Sequence, residues 1–384
     1  MKNFYLKTIA LLSILFLTTF SVEAQQNEDL LNILIKKGLV TQQEADSIRS
    51  EQAIKEQAKR DKDKENQHNI SIGSRALQIS GLVQARYQDF QQTSVNNAFD
   101  LHRARLDAKG NITDNWSYEV YTEFAASTKL LDAYTAYKFG DFLKVSAGQF
   151  KVPLSYESLV SDSQLDFIDR SQTVEALAGR SKDIIGNQNG RDIGLQINGS
   201  FAKLNDHYLF DYILGVFNGA GYNVTTDNNN YKDFAGRLVI HPIRALSFGG
   251  SLYEGEDVPA ATTKVPNPGS QVRHRYGFDG QFVSGPFSVG AEYLHGTDGA
   301  INRDGWYAQA GYYVVPKFLQ ILGKYDTYDP NKVNPTDRTY IYTTGVNFVF
   351  NQWTKLSVDY LFRHEEATVQ IQNNILEAQL QIAF

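Results

Sequence analysis

Arg86, Arg103, Arg105, Lys109, Arg237, Arg273, Arg275 and Arg363 alternate with apolar residues along the chain, and Arg103-x-Arg105 and Arg273-x-Arg275 each put two guanidiniums on one strand face. Cations spaced in this way hold and release anions through charge-assisted hydrogen bonds, and make or break no covalent bond. The residue types that catalyse are not gathered anywhere. The seven His are scattered, at 68, 102, 207, 241, 274, 295 and 364, there is no Gly-x-Ser-x-Gly, and Cys is absent. No nucleophile–base set, and so no catalytic residue, is expected. The run Asp298-Gly299-Ala300-Ile301-Asn302-Arg303-Asp304-Gly305 has the flavour of a calcium loop but the wrong ligand spacing, and reads as a polar turn. No metal and no cofactor are expected.

The elements that must position these cations are strands. Leu77, Ile79, Gly81, Val83, Ala85 and Tyr87 fall on one face, with Gln78, Ser80, Gln84, Arg86 and Gln88 on the other. Ala104, Leu106 and Ala108 stand against Arg103, Arg105, Asp107 and Lys109 in the same way. About 16 such segments of roughly 10–13 residues run from 76 to 384, the repeat of a membrane barrel strand. Every second connection is very short, such as Thr113-Asp114, Ser284-Gly285 and Asn351-Gln352, and the others are mostly longer and polar. Short periplasmic turns and long external loops predict an outer-membrane barrel. Trp116, Phe139, Phe142, Phe201, Tyr208, Phe287, Trp306, Phe318, Phe350 and Trp353 are expected beside the short turns, as one interfacial girdle. The last strand carries Leu376, Ala378, Leu380, Ile382 and Phe384 on its lipid face and ends on that aromatic ring.

The start of the chain reads differently. Lys2 and Lys7 precede an apolar stretch over 9–20 and small residues ending at Ala24, which makes 1–24 a secretory signal peptide rather than a spanning helix. Residues 25–70 read as a short helical periplasmic segment, with Asn27 as a cap and Thr41-Gln42-Gln43-Glu44 as a capping box. It is a polar tether or a short oligomerising coil. Residues 71–384 are the barrel. The expected fold is therefore all-β, a transmembrane antiparallel β-barrel of about 16 strands. A net charge of −6 excludes nucleic acid as a partner.

Lipid-facing strands must close so that no backbone group is left unpaired, and a ring of about 16 leaves an aqueous lumen. By strand phase that lumen holds the eight cations above with Lys324 and Lys355. It also holds Glu119, Glu123, Asp132, Asp192, Asp211, Asp233, Asp279, Glu292, Asp326, Asp359 and Glu377, so the two signs nearly balance. A symmetric first hairpin would set Arg86 across from Arg103, like charges that a lumenal anion or Glu123 would have to compensate. The 151–190 loop is too long to be idle. Folded inward it would narrow the lumen, with Lys151, Arg170, Arg180 and Lys182 as its cations and Asp162, Asp166, Asp169 and Glu175 against them; the other readings are an external lid or a subunit contact.

The chain resembles the phosphate-selective porin family of outer-membrane channels, the O and P type, over about residues 28–384. The resemblance is carried by Gly81-Leu82-Val83-Gln84-Ala85-Arg86-Tyr87, by Leu101 to Leu106 with its Arg-x-Arg, and by Asp132-Ala133-Tyr134. It continues through Gly148-Gln149-Phe150-Lys151-Val152-Pro153-Leu154-Ser155, Phe167-Ile168-Asp169-Arg170-Ser171 and Gly190-Arg191-Asp192-Ile193-Gly194. It implies a 16-stranded barrel, commonly a homo-trimer in outer-membrane lipid, with an inward third loop and a cation-lined path. The expected function is passive diffusion of small hydrophilic solutes, anions such as phosphate among them. The competing reading is a non-conducting adhesin or scaffold barrel that binds partners through its loops; a plugged transporter would need a large plug and about 22 strands.

Overall fold

The computed structural model describes residues 77–183, 189–227, 229–258, 269–367 and 371–384, with Lys37 and Ile70–Ser71 besides. The expected signal peptide and nearly all of the expected helical segment lie outside the described residues. Sixteen strands follow in chain order: β1 Gln78–Phe90, β2 Ala98–Asn111, β3 Trp116–Glu123, β4 Lys129–Gly140, β5 Leu143–Lys151, β6 Arg191–Leu204, β7 His207–Phe217 and β8 Asp233–Ile243. The second half is β9 Leu246–Asp257, β10 Gln271–Ser284, β11 Phe287–Asp298, β12 Ile301–Val315, β13 Leu319–Asp329, β14 Thr339–Val349, β15 Thr354–Glu365 and β16 Ile375–Ala383. Each pairs antiparallel with the next, and β16 returns to β1 from Ile375↔Phe90 to Ala383↔Leu82. The ring is closed, so it has no edge strand. Ile70–Ser71 adds a two-residue strand against the foot of β1.

The period-two pattern is the reason for these strands, and their burial runs opposite to that of a water-soluble protein. On β10, Arg273, Arg275 and Asp279 are buried inside the ring, while Tyr276 and Phe278 face out, 41% and 63% exposed. Charge points into the lumen and apolar rings point to the surroundings, as a bilayer demands. The tight connections use left-handed backbone: Asn205 and Gly285, which adopt it readily, have φ of 43° and 57°, and Lys317 takes it at 63°. Trp116, Phe139, Phe142, Phe201, Phe287 and Phe318 are exposed beside the short turns, forming the expected belt. Trp306 departs from it. It lies near the long-loop end of β12, its ring 4.8 Å from that of Tyr325.

The first hairpin also corrects the expected register. Gln84 faces Arg103, and a bulge just beyond it makes Ala85 face Leu101, so His102 has no opposite residue on β1 and Arg86 faces Asp100. The strands already run two positions from the symmetric register before the bulge, which places Gln84 opposite Arg103, and the extra residue on β2 then sets Arg86 against Asp100 as an ion pair.

Candidate functional site

The connection between β5 and β6 folds into the barrel. It contains α1 (Tyr156–Leu159), a 3-10 turn (Asp162–Gln164) and α2 (Gln172–Leu177), the two helices started by Ser155 and Ser171, whose hydroxyls accept from the backbone of Ser158 and Val174. Its apolar residues are the reason it stays inside: Leu154, Leu165, Phe167, Ile168, Val174 and Leu177 are all buried. Val174 and Leu177 pack in one cluster with Phe150, Phe217, Leu294 and Tyr307 of the wall. Each large apolar side chain so buried contributes on the order of 1.5–3 kcal/mol.

The wall supplies what the loop's backbone lacks. Glu292 on β11 accepts from the amides of Tyr156 (2.8 Å) and Glu157 (3.2 Å). Asp359 on β15 accepts from Ile168 (2.8 Å), and Asp326 on β13 from Gln172 (2.6 Å). In the other direction, Lys355 and Lys324 donate to the carbonyls of Leu165 (2.7 Å) and Asp169 (2.9 Å), and Asn347 to that of Asp166 (2.8 Å). Buried backbone groups in a folded chain are paired almost without exception. Several lumenal acids and bases legible in the sequence are therefore occupied in holding the loop.

The centre of the loop's charge is Asp162. Its carboxylate takes Arg103 at 3.2 Å together with Arg105 of the same strand and Arg170 of the loop itself. Arg105 also reaches Glu123 at 2.6 Å, and Arg103 donates to the Gln84 side chain at 2.7 Å. Burial alone would raise the Asp162 pKa; the charges of Arg103, Arg170 and Arg105 overcome it and hold the group well below the usual carboxylate range. Lys151 stands beside the same turn and donates to the carbonyls of Leu159 (2.9 Å) and Val160 (3.0 Å).

The remaining cations are spread around the ring. Arg86 pairs with Asp100 at 2.6 Å and with the loop's Asp169 at 3.3 Å. Arg237 forks onto Asp279. Arg273 reaches Asp183 at 3.2 Å and Arg275 reaches Asp298 at 2.8 Å, on the far side from Asp162. Arg180 is buried against Glu175 at 3.0 Å, whereas Lys182 is exposed. Arg363 is half-buried toward the long-loop end of β15. Lys109 keeps 41% of its side chain exposed, 3.5 Å from Asp107.

Between the loop and the short-turn end lies a cavity of about 410 Å³. Its cations are Arg105, Lys109, Lys144, Lys151 and Arg191, and its carboxylates are Asp107, Glu119, Asp132 and Asp162, with Tyr121 and Tyr134 between them. Lys144 and Arg191 escaped the sequence reading. Arg191 forks onto Asp132 at 2.9 and 2.8 Å, and both residues belong to segments that carried the family resemblance, which was the available signal. Among the described residues no group of three His, Cys, Asp or Glu is placed to hold a metal ion.

The fold is shared with solved outer-membrane channels at low identity. An anion-selective porin from Comamonas acidovorans superposes with a TM-score of 0.59 at 14% identity, over 80% of this chain and 99% of that one. OmpF of Salmonella typhi, in complex with daunomycin, gives 0.61 at 11% over 82% and 100%. The trimer form of in-vitro folded OmpT from Vibrio cholerae gives 0.58 at 12% over 80% and 99%. No curated protein sequence matches the chain. Residues 77–384 match the sequence model of the family described as phosphate-selective porin O and P, and the chain belongs to that family.

Proposed function

We propose that this outer-membrane porin, a channel for passive diffusion rather than an enzyme, favours small hydrophilic anions and works as a homotrimer in the outer-membrane lipid. The observation that carries the anion preference is the cavity beside the loop, where five cationic side chains face four carboxylates. Two of the five, Lys109 and Lys144, sit toward the short-turn end, the periplasmic side in this reading, where a solute leaving the constriction meets them. Wall acids such as Glu292 and Asp326, which would oppose an anion, are turned to the loop's amides instead. The trimer draws support from family membership and from the likeness to the OmpT trimer form. Residues 1–24 then serve export, and 25–70 form a periplasmic extension.

The test is reconstitution of residues 25–384 in a planar bilayer under a salt gradient. Steady conductance steps with a reversal potential toward the anion side are expected. A reversal potential toward the cation side removes the anion preference. Folded protein that inserts and never conducts would point to the adhesin reading of the loops.

A further inference from the structure

Three guanidiniums, from Arg103, Arg105 and Arg170, converge on the two oxygens of one carboxylate, and that carboxylate belongs to the chain itself. Guanidiniums so close repel one another and need anionic oxygens between them. The geometry is that of an oxyanion site, with Arg105 and Arg170 donating to the two oxygens and Arg103 adding its charge beside them. The cluster is closed to solvent, with Asp162, Arg105 and Arg170 side chains 3%, 4% and 1% exposed. Yet Asp162 rides on a short turn whose neighbours Ser161 and Gln164 are exposed. Ser161, Asp162, Ser163 and Arg105 all line the 410 Å³ cavity, so a solute anion in that cavity is already beside the cradle.

We propose that Asp162 is a tethered anion, filling the arginine cradle as an internal competitor that a permeating oxyanion must displace. The proposal rests on the anion-passing reading above and names the residue that sets its strength. A ligand held on its own chain competes at an effective concentration in the millimolar range. The cradle therefore binds free anions weakly while Asp162 is in place, which suits a pore that must release what it binds. The Arg103–Gln84 and Arg105–Glu123 contacts keep the donors aimed while the occupant exchanges.

The experiment compares wild type, Asp162→Glu and Asp162→Asn in planar bilayers, with inorganic phosphate as the probe blocking chloride current. Asp162→Asn is expected to lower the half-blocking phosphate concentration about tenfold and to move the reversal potential further toward anions. Formate added to Asp162→Asn should compete with phosphate by refilling the cradle, and Asp162→Glu should behave as wild type. Unchanged phosphate block in a conducting Asp162→Asn channel overturns the proposal. A wild-type channel that prefers cations but gains phosphate block in Asp162→Asn refutes the anion preference and leaves the tethered anion standing. If Asp162→Asn does not fold unaided, refolding is repeated with phosphate or formate. Rescue by either supports an exchangeable occupant, and failure of both shows a fixed strut and ends the proposal.

Discussion

Arg237 and Asp279 meet across a strand that neither belongs to. Two guanidinium nitrogens of Arg237 on β8 donate to the two Asp279 oxygens on β10 at 2.6 and 2.9 Å, over β9 between them. The bridge passes above Gly249, where an added Cβ would lie 2.4 Å from Arg237 Nη2 and 2.5 Å from an Asp279 oxygen. Both side chains are almost wholly buried. Gly249→Ala should split the pair while both partners stay in the sequence. The expected cost is on the order of 3 kcal/mol, the range for breaking a buried ion pair, read as a lower urea midpoint. An unchanged midpoint would mean the pair rearranges freely.

The constriction arginines give the next prediction. Replacing Arg86, Arg103 and Arg105 together with Gln should move the reversal potential toward cations, because Asp162, Asp169 and Glu123 keep their charge while Arg170 alone of the three guanidiniums stays on Asp162. Reversal potentials in a salt gradient decide it, and no shift removes these residues from selectivity.

Loop anchoring can be tested apart from charge at the cradle. In Asp326→Ala with Asp359→Ala, the amides of Gln172 and Ile168 lose their acceptors. Each stranded donor costs about 1–3 kcal/mol, so the loop should loosen. Single-channel current is expected to become larger and noisier, and unaltered steps would show that the apolar cluster holds the loop alone.

The effect of acid follows from Asp162. Its pKa is depressed in the folded chain, so the stability it contributes is fully present above the unfolded value of about 4. That stability is lost progressively as pH falls from there through the lower folded value. The stability difference between wild type and Asp162→Asn should hold constant from pH 7 to about pH 4 and shrink below it. Denaturant midpoints of both proteins measure this; a difference that already fades near pH 6 would contradict the arginine cradle.

Much of this architecture is legible in period-two alternation, since residues such as Arg273, Tyr276 and Phe278 declare their faces without knowledge of their neighbours. The first register is not legible, because the hairpin runs two positions from symmetric and a bulged residue at His102 then re-aims Arg86, and nothing in the alternation marks either. The constriction is legible only in part. Phase places Glu292, Asp326 and Asp359 in the lumen correctly, yet cannot say that a loop far along the chain will spend them on its amides. Asp162 is visible beforehand only as one acid among several in the loop, because its role depends on three arginines drawn together from two separate segments.

The C-terminal ring gives a last test. Gly81 and Phe384 exchange backbone hydrogen bonds at 2.6 and 2.9 Å, and a Cβ on Gly81 would lie 2.4 Å from the Phe384 ring. Gly81→Val should block closure of the barrel, seen as loss of the heat-resistant folded band on gels. A normal folded band would show that the ring can move aside.

That seam also sets the order of assembly. Gln84 and Gln381 bond across it although 297 positions apart in the chain. A contact so remote carries a large loop-closure cost and slows folding. Because β1 is joined on both sides only when β16 arrives, its edge stays unpaired, and open to aggregation, until the ring closes. The two strands farthest apart in the chain are thus the ones that must meet to seal the ring.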